Sequence, residues 1–182
     1  MGILKQKIWT YEDYHNLDDD KRYEVIEGEL FEMAAPGTLH QTISSNLGYE
    51  LIDYVRPRNM GRLLDAPCDV IFSEINTLQP DILFISKENM EIIEGGGIFG
   101  SPDLVIEILS PSNADHNKVR KFTIYEKFHV KEYWIIDPEK ESVEVFVLEE
   151  NRLLPYSDTK KTDHIQSKIF ADIALCYNDL LE

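Results

Sequence analysis

Two acids sit in apolar company: Glu107 interrupts the run Leu104-Val105-Ile106-Glu107-Ile108-Leu109, and Asp81 opens Pro80-Asp81-Ile82-Leu83-Phe84-Ile85. Both runs read as buried strands, where an ionised carboxylate is costly unless a cation or hydrogen-bond donors compensate it. On neighbouring strands the two carboxylates repel and one pKa rises, unless a hard cation with oxygen ligands joins them. Mg²⁺ or Mn²⁺ suits such ligands, and an ion of that kind polarises a phosphoryl oxygen and helps generate hydroxide. Further along, Lys118, Lys121 and Tyr125 recur at spacings of three and four, so a cationic and phenolic stripe shares one side of a helix. A short crossover brings that stripe over Glu107, where a lysine orients water or neutralises transition-state charge. These parts together describe phosphodiester hydrolysis. Taken singly, each acid has a plainer role: Asp81 after Pro80 caps a turn, and Glu107 is a buried ion-pair partner of Lys118 or Lys121. The combination favours a site.

The elements that must hold these residues follow from local pattern. Period-2 alternation puts Val105, Glu107 and Leu109 on one strand face and Leu104, Ile106 and Ile108 on the other. Thr10 with Asp13 forms an N-cap pair opening a short helix through about Leu17. Residues 23–26 and 30–33 flank Glu27-Gly28-Glu29, a hairpin signature. Leu39, Ile43, Leu47, Leu51 and Tyr54 mark one face of a helix over 38–55 that ends before Pro57. Strands are expected around Leu63-Leu64 and over 70–72 and 82–85, then a flexible connection through Glu94-Gly95-Gly96-Gly97 to the strand of Glu107. A helix over about 112–128 completes an α/β crossover, a buried strand over 133–136 stops at Asp137-Pro138, and 143–147 alternates as a half-exposed strand. From Asn151 onward the pattern commits to no element.

At 182 residues, with 43% hydrophobic and 29% charged, the chain suits a single soluble domain over 1–182. It carries no membrane-spanning run. The first residues lack the apolar core of a signal peptide and Gln6 stands where a myristoylation signal has Ser or Thr, so a cytoplasmic protein is expected. Cys68 and Cys176 lie far apart without Cys or His neighbours in ligand spacing, which predicts reduced, packed thiols and no zinc. Eighteen basic against 34 acidic residues give a net charge of −16, which repels a polyphosphate on average. Nucleic-acid contact therefore needs local patches. Lys118, Arg120, Lys121, Lys127 and Lys131 form one, Arg56, Arg58 and Arg62 another, and the ordinary role of each is solvated surface. Gly95-Gly96-Gly97-Ile98-Phe99-Gly100 has the letters of a dinucleotide fingerprint but precedes a strand instead of opening a helix, which excludes it. His116-Asn117 has no partner His that would suggest an H-N-H nuclease.

The residues 23–30, His40, Gln79-Pro80-Asp81, 102–112, Asp115, Lys121 with Tyr125, and 132–138 resemble, in order, the Uma-type putative restriction endonuclease family, within the PD-(D/E)xK nuclease superfamily. The resemblance spans roughly Tyr11 to Pro138. It implies an α/β (α+β) restriction endonuclease-like core: a central mixed sheet flanked by helices, with an N-terminal hairpin and a metal-dependent phosphodiesterase site at the sheet edge. It maps Asp81 and Glu107 onto the metal-binding acids. The superfamily lysine falls where this chain has Leu109; in the Uma-type pattern the lysine sits on the following helix four residues before a tyrosine, which selects Lys121, with Lys118 in reserve. Glu24 and His40 match the family's hairpin acid and helix-opening histidine, each suited to complete the metal shell or shuttle a proton. Asp103, in Pro102-Asp103, is the rival of Asp81, and Asp81 is preferred because ligands from neighbouring strands converge on one ion more readily. The expected function is a Mg²⁺- or Mn²⁺-dependent DNA endonuclease. Restriction-type nucleases often pair two copies to cut two strands, so a homodimer is consistent with the resemblance. The rivals are a catalytically inactive nuclease-fold binding or assembly module and a hydrolase of another phosphate ester.

Overall fold

Continuous apolar runs become the inner strands of a sheet in this chain, and the shorter, more polar runs become the rims. The computed structural model describes residues 7–110 and 116–181. In chain order the elements are α1 (Tyr11–His15), β1 (Tyr23–Ile26), β2 (Glu29–Glu32), α2 (Thr38–Val55), β3 (Gly61–Asp65), β4 (Val70–Ser73), β5 (Asn76–Leu78), β6 (Ile82–Ser86), a 3-10 helix (Lys87–Ile92), β7 (Ile93–Glu94), β8 (Gly97–Phe99), β9 (Leu104–Ile108), α3 (His116–Lys127), β10 (Glu132–Asp137), β11 (Ser142–Glu149), β12 (Arg152–Lys160) and a closing 3-10 helix (Tyr177–Leu181). Thr10 and Asp13 cap α1 reciprocally, as expected. The expected helix start near Ser112, the segment Met1 to Gln6, and Pro111, Ser112 and Asp115 of the family resemblance lie outside the described residues.

The strands form two six-stranded sheets, ordered β12-β11-β10-β9-β6-β3 and β2-β1-β5-β4-β8-β7. The first is the expected central mixed sheet: β9 and β10 run parallel across the α3 crossover, and its other pairs are antiparallel. Burial on both faces explains why β9 and β10 read as unbroken apolar runs. One face, with Leu104, Ile106, Ile108, Trp134 and Ile136, packs under Ile43, Leu47, Leu51 and Val55 of α2 and under Phe170, Leu175 and Leu180 of the C-terminal segment. The other face, with Val105, Tyr133 and Ile135, meets Ile124 and Tyr125 of α3 and Phe72, Leu78 and Ile98 of the second sheet. Each such side chain contributes about 1.5–3 kcal/mol of burial. The alternation expected for the Glu107 strand is thus realised, with Glu107 facing α3.

Several expectations change. Leu39 is 50% exposed although it shares the spacing of four with Ile43, Leu47, Leu51 and Val55, which are buried. The polar triplet Asn76-Thr77-Leu78 is a strand, held by Asn76 side-chain bonds to the Glu27 amide (3.0 Å) and the Ser73 hydroxyl (2.9 Å). It joins the N-terminal hairpin to the second sheet. That hairpin closes through Glu27 (φ 51°) and Gly28 (φ 79°), where a Cβ on Gly28 would lie 2.7 Å from the Ile8 side chain. The glycine-rich connection folds as the β7–β8 hairpin. The residues after Asn151 form β12 and a packed tail: the fully buried Glu132 carboxylate accepts bonds from Trp134 Nε1 (2.6 Å), Ser167 Oγ (2.5 Å) and the amides of Lys168 (2.9 Å) and Ile169 (3.0 Å). Among the described residues no helix is long and apolar enough to cross a membrane.

Candidate active site

Antiparallel pairing of β6 with β9 sets Ile82 opposite Ile106, so the next step of the register carries Asp81 opposite Glu107. Asp81 is fixed through Oδ2 by the Ile108 amide (2.7 Å) and through Oδ1 by His40 Nε2 (3.2 Å), which reaches across from the first turn of α2. From α3, the spacing of four residues aims Lys121 and Tyr125 at the same carboxylate. Lys121 Nζ lies 3.1 and 3.0 Å from the two Glu107 oxygens, and the Tyr125 hydroxyl donates to Oε1 at 2.5 Å. Glu24 arrives from β1 of the second sheet: its Oε1 is 2.8 Å from Lys121 Nζ and accepts the Gln79 amide at 2.9 Å. One ammonium therefore joins carboxylates from two sheets. The preceding residue, Arg120, bonds Glu27 (3.1 Å), Glu29 (3.2 Å) and the Ile26 carbonyl (3.1 Å), clasping α3 to the N-terminal hairpin.

Glu107 and Glu24 share the Lys121 ammonium, with Asp81 beside them at the same cavity. Burial is the largest influence on Glu107 and raises its pKa from 4.5 to about 7; Asp81 and Glu24 push the same way, while Lys121 and the Tyr125 bond oppose. Lys121 is raised too, since the fields and bonds of Glu107 and Glu24 outweigh its burial. For His40, burial disfavours the charged ring, but its bond to Asp81 and the fields of Asp81 and Glu107 leave it raised. Its Nδ1 is buried and has no hydrogen-bond partner among the described residues. Burial, then the field of Glu107, holds the Tyr125 hydroxyl well above its ordinary value, so it stays a donor.

All five residues singled out as site candidates, Asp81, Glu107, Lys121, Glu24 and His40, meet around one small cavity of about 60 Å³. Lys118 stands at its rim and pairs with Glu144 at 3.7 Å. Asp103 lies at the other end of β9, where it binds Lys131 (2.5 Å), the Ser86 amide (2.6 Å) and Asn89 (3.2 Å), and it does not reach the cluster. Leu109 lines the same cavity, so an ammonium sent from α3 takes up space that a lysine at 109 would otherwise enter. Asp81 and Glu107 offer hard oxygen donors of the kind Mg²⁺ or Mn²⁺ accepts. Among the described residues no group of three or more His, Cys, Asp or Glu side chains is arranged to hold a metal ion. One contributor went unread, Gln79, whose amide fixes Glu24, while Tyr125, expected on the stripe over Glu107, donates to it. Its spacing of four from Lys121 was the available signal for the tyrosine.

Comparison with known proteins bears on this cluster. An uncharacterised protein of Synechocystis sp. is 25% identical over 148 residues, covering 75% of this chain and 79% of its own length. The crystal structure of a "putative nuclease" from Anabaena variabilis superposes with a TM-score of 0.79 at 22% identity, covering 94% of this chain and 97% of that one. At that identity the likeness is one of fold, and it agrees with the restriction endonuclease-like arrangement of sheet and helices described above. A family model described as "Putative restriction endonuclease" matches residues 11–176, which takes in every member of the cluster. The chain belongs to this Uma2 family.

Proposed function

We propose that the protein is a metal-dependent endonuclease hydrolysing DNA phosphodiester bonds, with Asp81 and Glu107 as the residues that hold Mg²⁺ or Mn²⁺. The observation that carries this reading is Lys121 Nζ, 3.0 Å from Glu107 and 2.8 Å from Glu24, at a cavity that Asp81 also lines. The donor set suits the ion: Mg²⁺ commonly takes one or two carboxylates and completes its shell with water and substrate phosphate. Burial raises Glu107, and the Asp81 and Glu24 carboxylates beside it add to the rise. When bound, such an ion supplies Lewis-acid polarisation of the phosphoryl group and a water of lowered pKa.

The chain's own residues do the rest. Lys121 holds positive charge at Nζ where oxygen charge develops in the transition state, and its hydrogens orient the attacking water. Glu24 keeps that ammonium in place, and Tyr125 fixes Glu107 Oε1. His40, anchored to Asp81 through Nε2, exchanges a proton at Nδ1. Purified protein incubated with plasmid and Mg²⁺ or Mn²⁺ should nick or linearise it, and Glu107→Ala should not; absence of cutting, or equal cutting by the variant, overturns the proposal. A binding module without catalysis is the rival, favoured by the −16 charge and by Leu109. It predicts no rise in melting temperature on adding metal, whereas a metal site gives a rise that Asp81→Ala abolishes.

A further inference from the structure

A groove of about 480 Å³ leaves the cluster at His40 and Asp81 and runs along α2, walled on the far side by Leu63 and Leu64 of β3. Along the helix it passes Ser44, Gly48, Tyr49 and Ile52, whose spacing of four follows one ridge and its neighbour. Tyr49 is 70% exposed and Ile52 47%, so an aromatic ring stands open to water beside residues small enough to let a ligand approach the backbone. The ridge continues to Arg56, about 24 Å from His40 at 1.5 Å per residue. Arg58 follows, and Lys87 is brought alongside by the pairing of Gly61 with Ser86 and a 2.9 Å bond from its amide to the Met60 carbonyl, whereas Arg62 of β3 lines the opposite face of the sheet. All four are exposed, and none is in an ion pair among the described residues. Elsewhere Lys118, Arg120, Lys121, Lys131, Arg152 and Lys168 each pair with an acid, and Lys127 and Lys160, exposed and outside any ion pair among the described residues, do not line the groove. Asp53, Asp65 and Glu88 are interspersed and hold the end of the groove only mildly positive.

From this order of features, carboxylates, open aromatic ring, then unpaired cations, we infer that the groove seats a single unpaired DNA strand. A base stacks on Tyr49, phosphates meet Arg56, Arg58 and Lys87, and the strand leads to Asp81 and Glu107; the last clause rests on the nuclease reading of the site. A duplex fits this surface poorly. It carries charge on two strands and keeps its base faces covered, so it is repelled by the strongly acidic chain and gains nothing from the ring. An unpaired strand halves the charge and gains base stacking, which does not depend on base identity.

Fluorescence anisotropy of labelled oligonucleotides in EDTA tests the groove without cleavage. Single-stranded DNA should bind about tenfold tighter than the matching duplex, and Tyr49→Ala should remove about that factor. Replacing Arg56 and Arg58 together by Ala should lower the salt dependence of binding by about 0.7 for each phosphate that is no longer neutralised. Tyr156→Ala, at an exposed tyrosine on β12, the edge of that sheet opposite β3, should leave binding unchanged. The inference is overturned if a duplex or an RNA strand binds as tightly, if single-stranded DNA does not bind, or if Tyr49→Ala binds like the parent. Plasmid cutting in Mg²⁺ reads the catalytic site separately: binding without cutting removes the nuclease reading and keeps the groove, and cutting without strand binding does the reverse.

Discussion

Replacing Glu107 by Gln should make the metal-free protein more stable while abolishing its activity. The carboxyl of Glu107 ionises near 4.5 in an unfolded chain and at about 7 in the folded one, so folding works against its charge. Between those values the folded state binds more protons than the unfolded state, and stability therefore falls as pH rises. The full cost, present above about pH 7, is about 3 kcal/mol; below about pH 4.5 it vanishes. Glutamine keeps the shape and an acceptor for Tyr125 and Lys121 but carries no charge. Lys121 retains Glu24 at 2.8 Å as its counterion, so the substitution does not strand the ammonium. Urea denaturation in EDTA should therefore show Glu107→Gln more stable than the parent by about 2–3 kcal/mol at pH 8 and equal to it near pH 4. Mg²⁺ in excess should then stabilise the parent, by about 2.7 kcal/mol at a hundredfold excess over Kd, and leave the variant unmoved. A variant no more stable than the parent at pH 8, or a gain that persists at pH 4, would refute the charge argument.

Tyr125→Phe removes the donor to Glu107 Oε1 and leaves the ring packed against Phe72 and Tyr133, so the fold should hold while metal affinity or activity drops about 10–100-fold, read by titration of Mg²⁺ against melting temperature. Glu132→Gln turns an amide group toward the Lys168 and Ile169 amides in one rotamer or the Trp134 and Ser167 donors in the other; each donor left unpaired costs about 1–3 kcal/mol, and limited proteolysis should cut the tail beyond Lys160 sooner than in the parent.

The cluster was legible where one element carries the signal. Glu107 stood out because alternation on a single strand assigns its face, and Lys118, Lys121 and Tyr125 because spacings of three and four share one side of a helix, the choice of Lys121 among them coming from family likeness. The bounds of α2 were readable from its periodic stripe and Pro57. Glu24 and His40 entered through family likeness, since nothing local separates a strand acid that meets a lysine from one that meets water. The same blindness applies to Glu132, whose four donors come partly from residues 35–37 positions away. Sheet membership was hidden because it depends on Asn76-Thr77-Leu78, a polar triplet whose pairing partners lie on β1 and β4. The tail was hidden because Ile165, Phe170, Leu175 and Leu180 reach the core through turns and a 3-10 helix at intervals of five, which match neither the strand nor the helix period.

Arg120 and Lys121 divide fastening and chemistry between adjacent positions. The guanidinium grips the loop end of the β1–β2 hairpin, and that grip sets the rotation of α3 about its axis. A single residue inserted between the two would turn the ammonium by about 100° around the helix, away from both carboxylates. The hairpin tip, outside the cavity, thus acts as the phase reference for the lysine, and lengthening that tip should abolish the proposed cleavage without touching any side chain in the cluster.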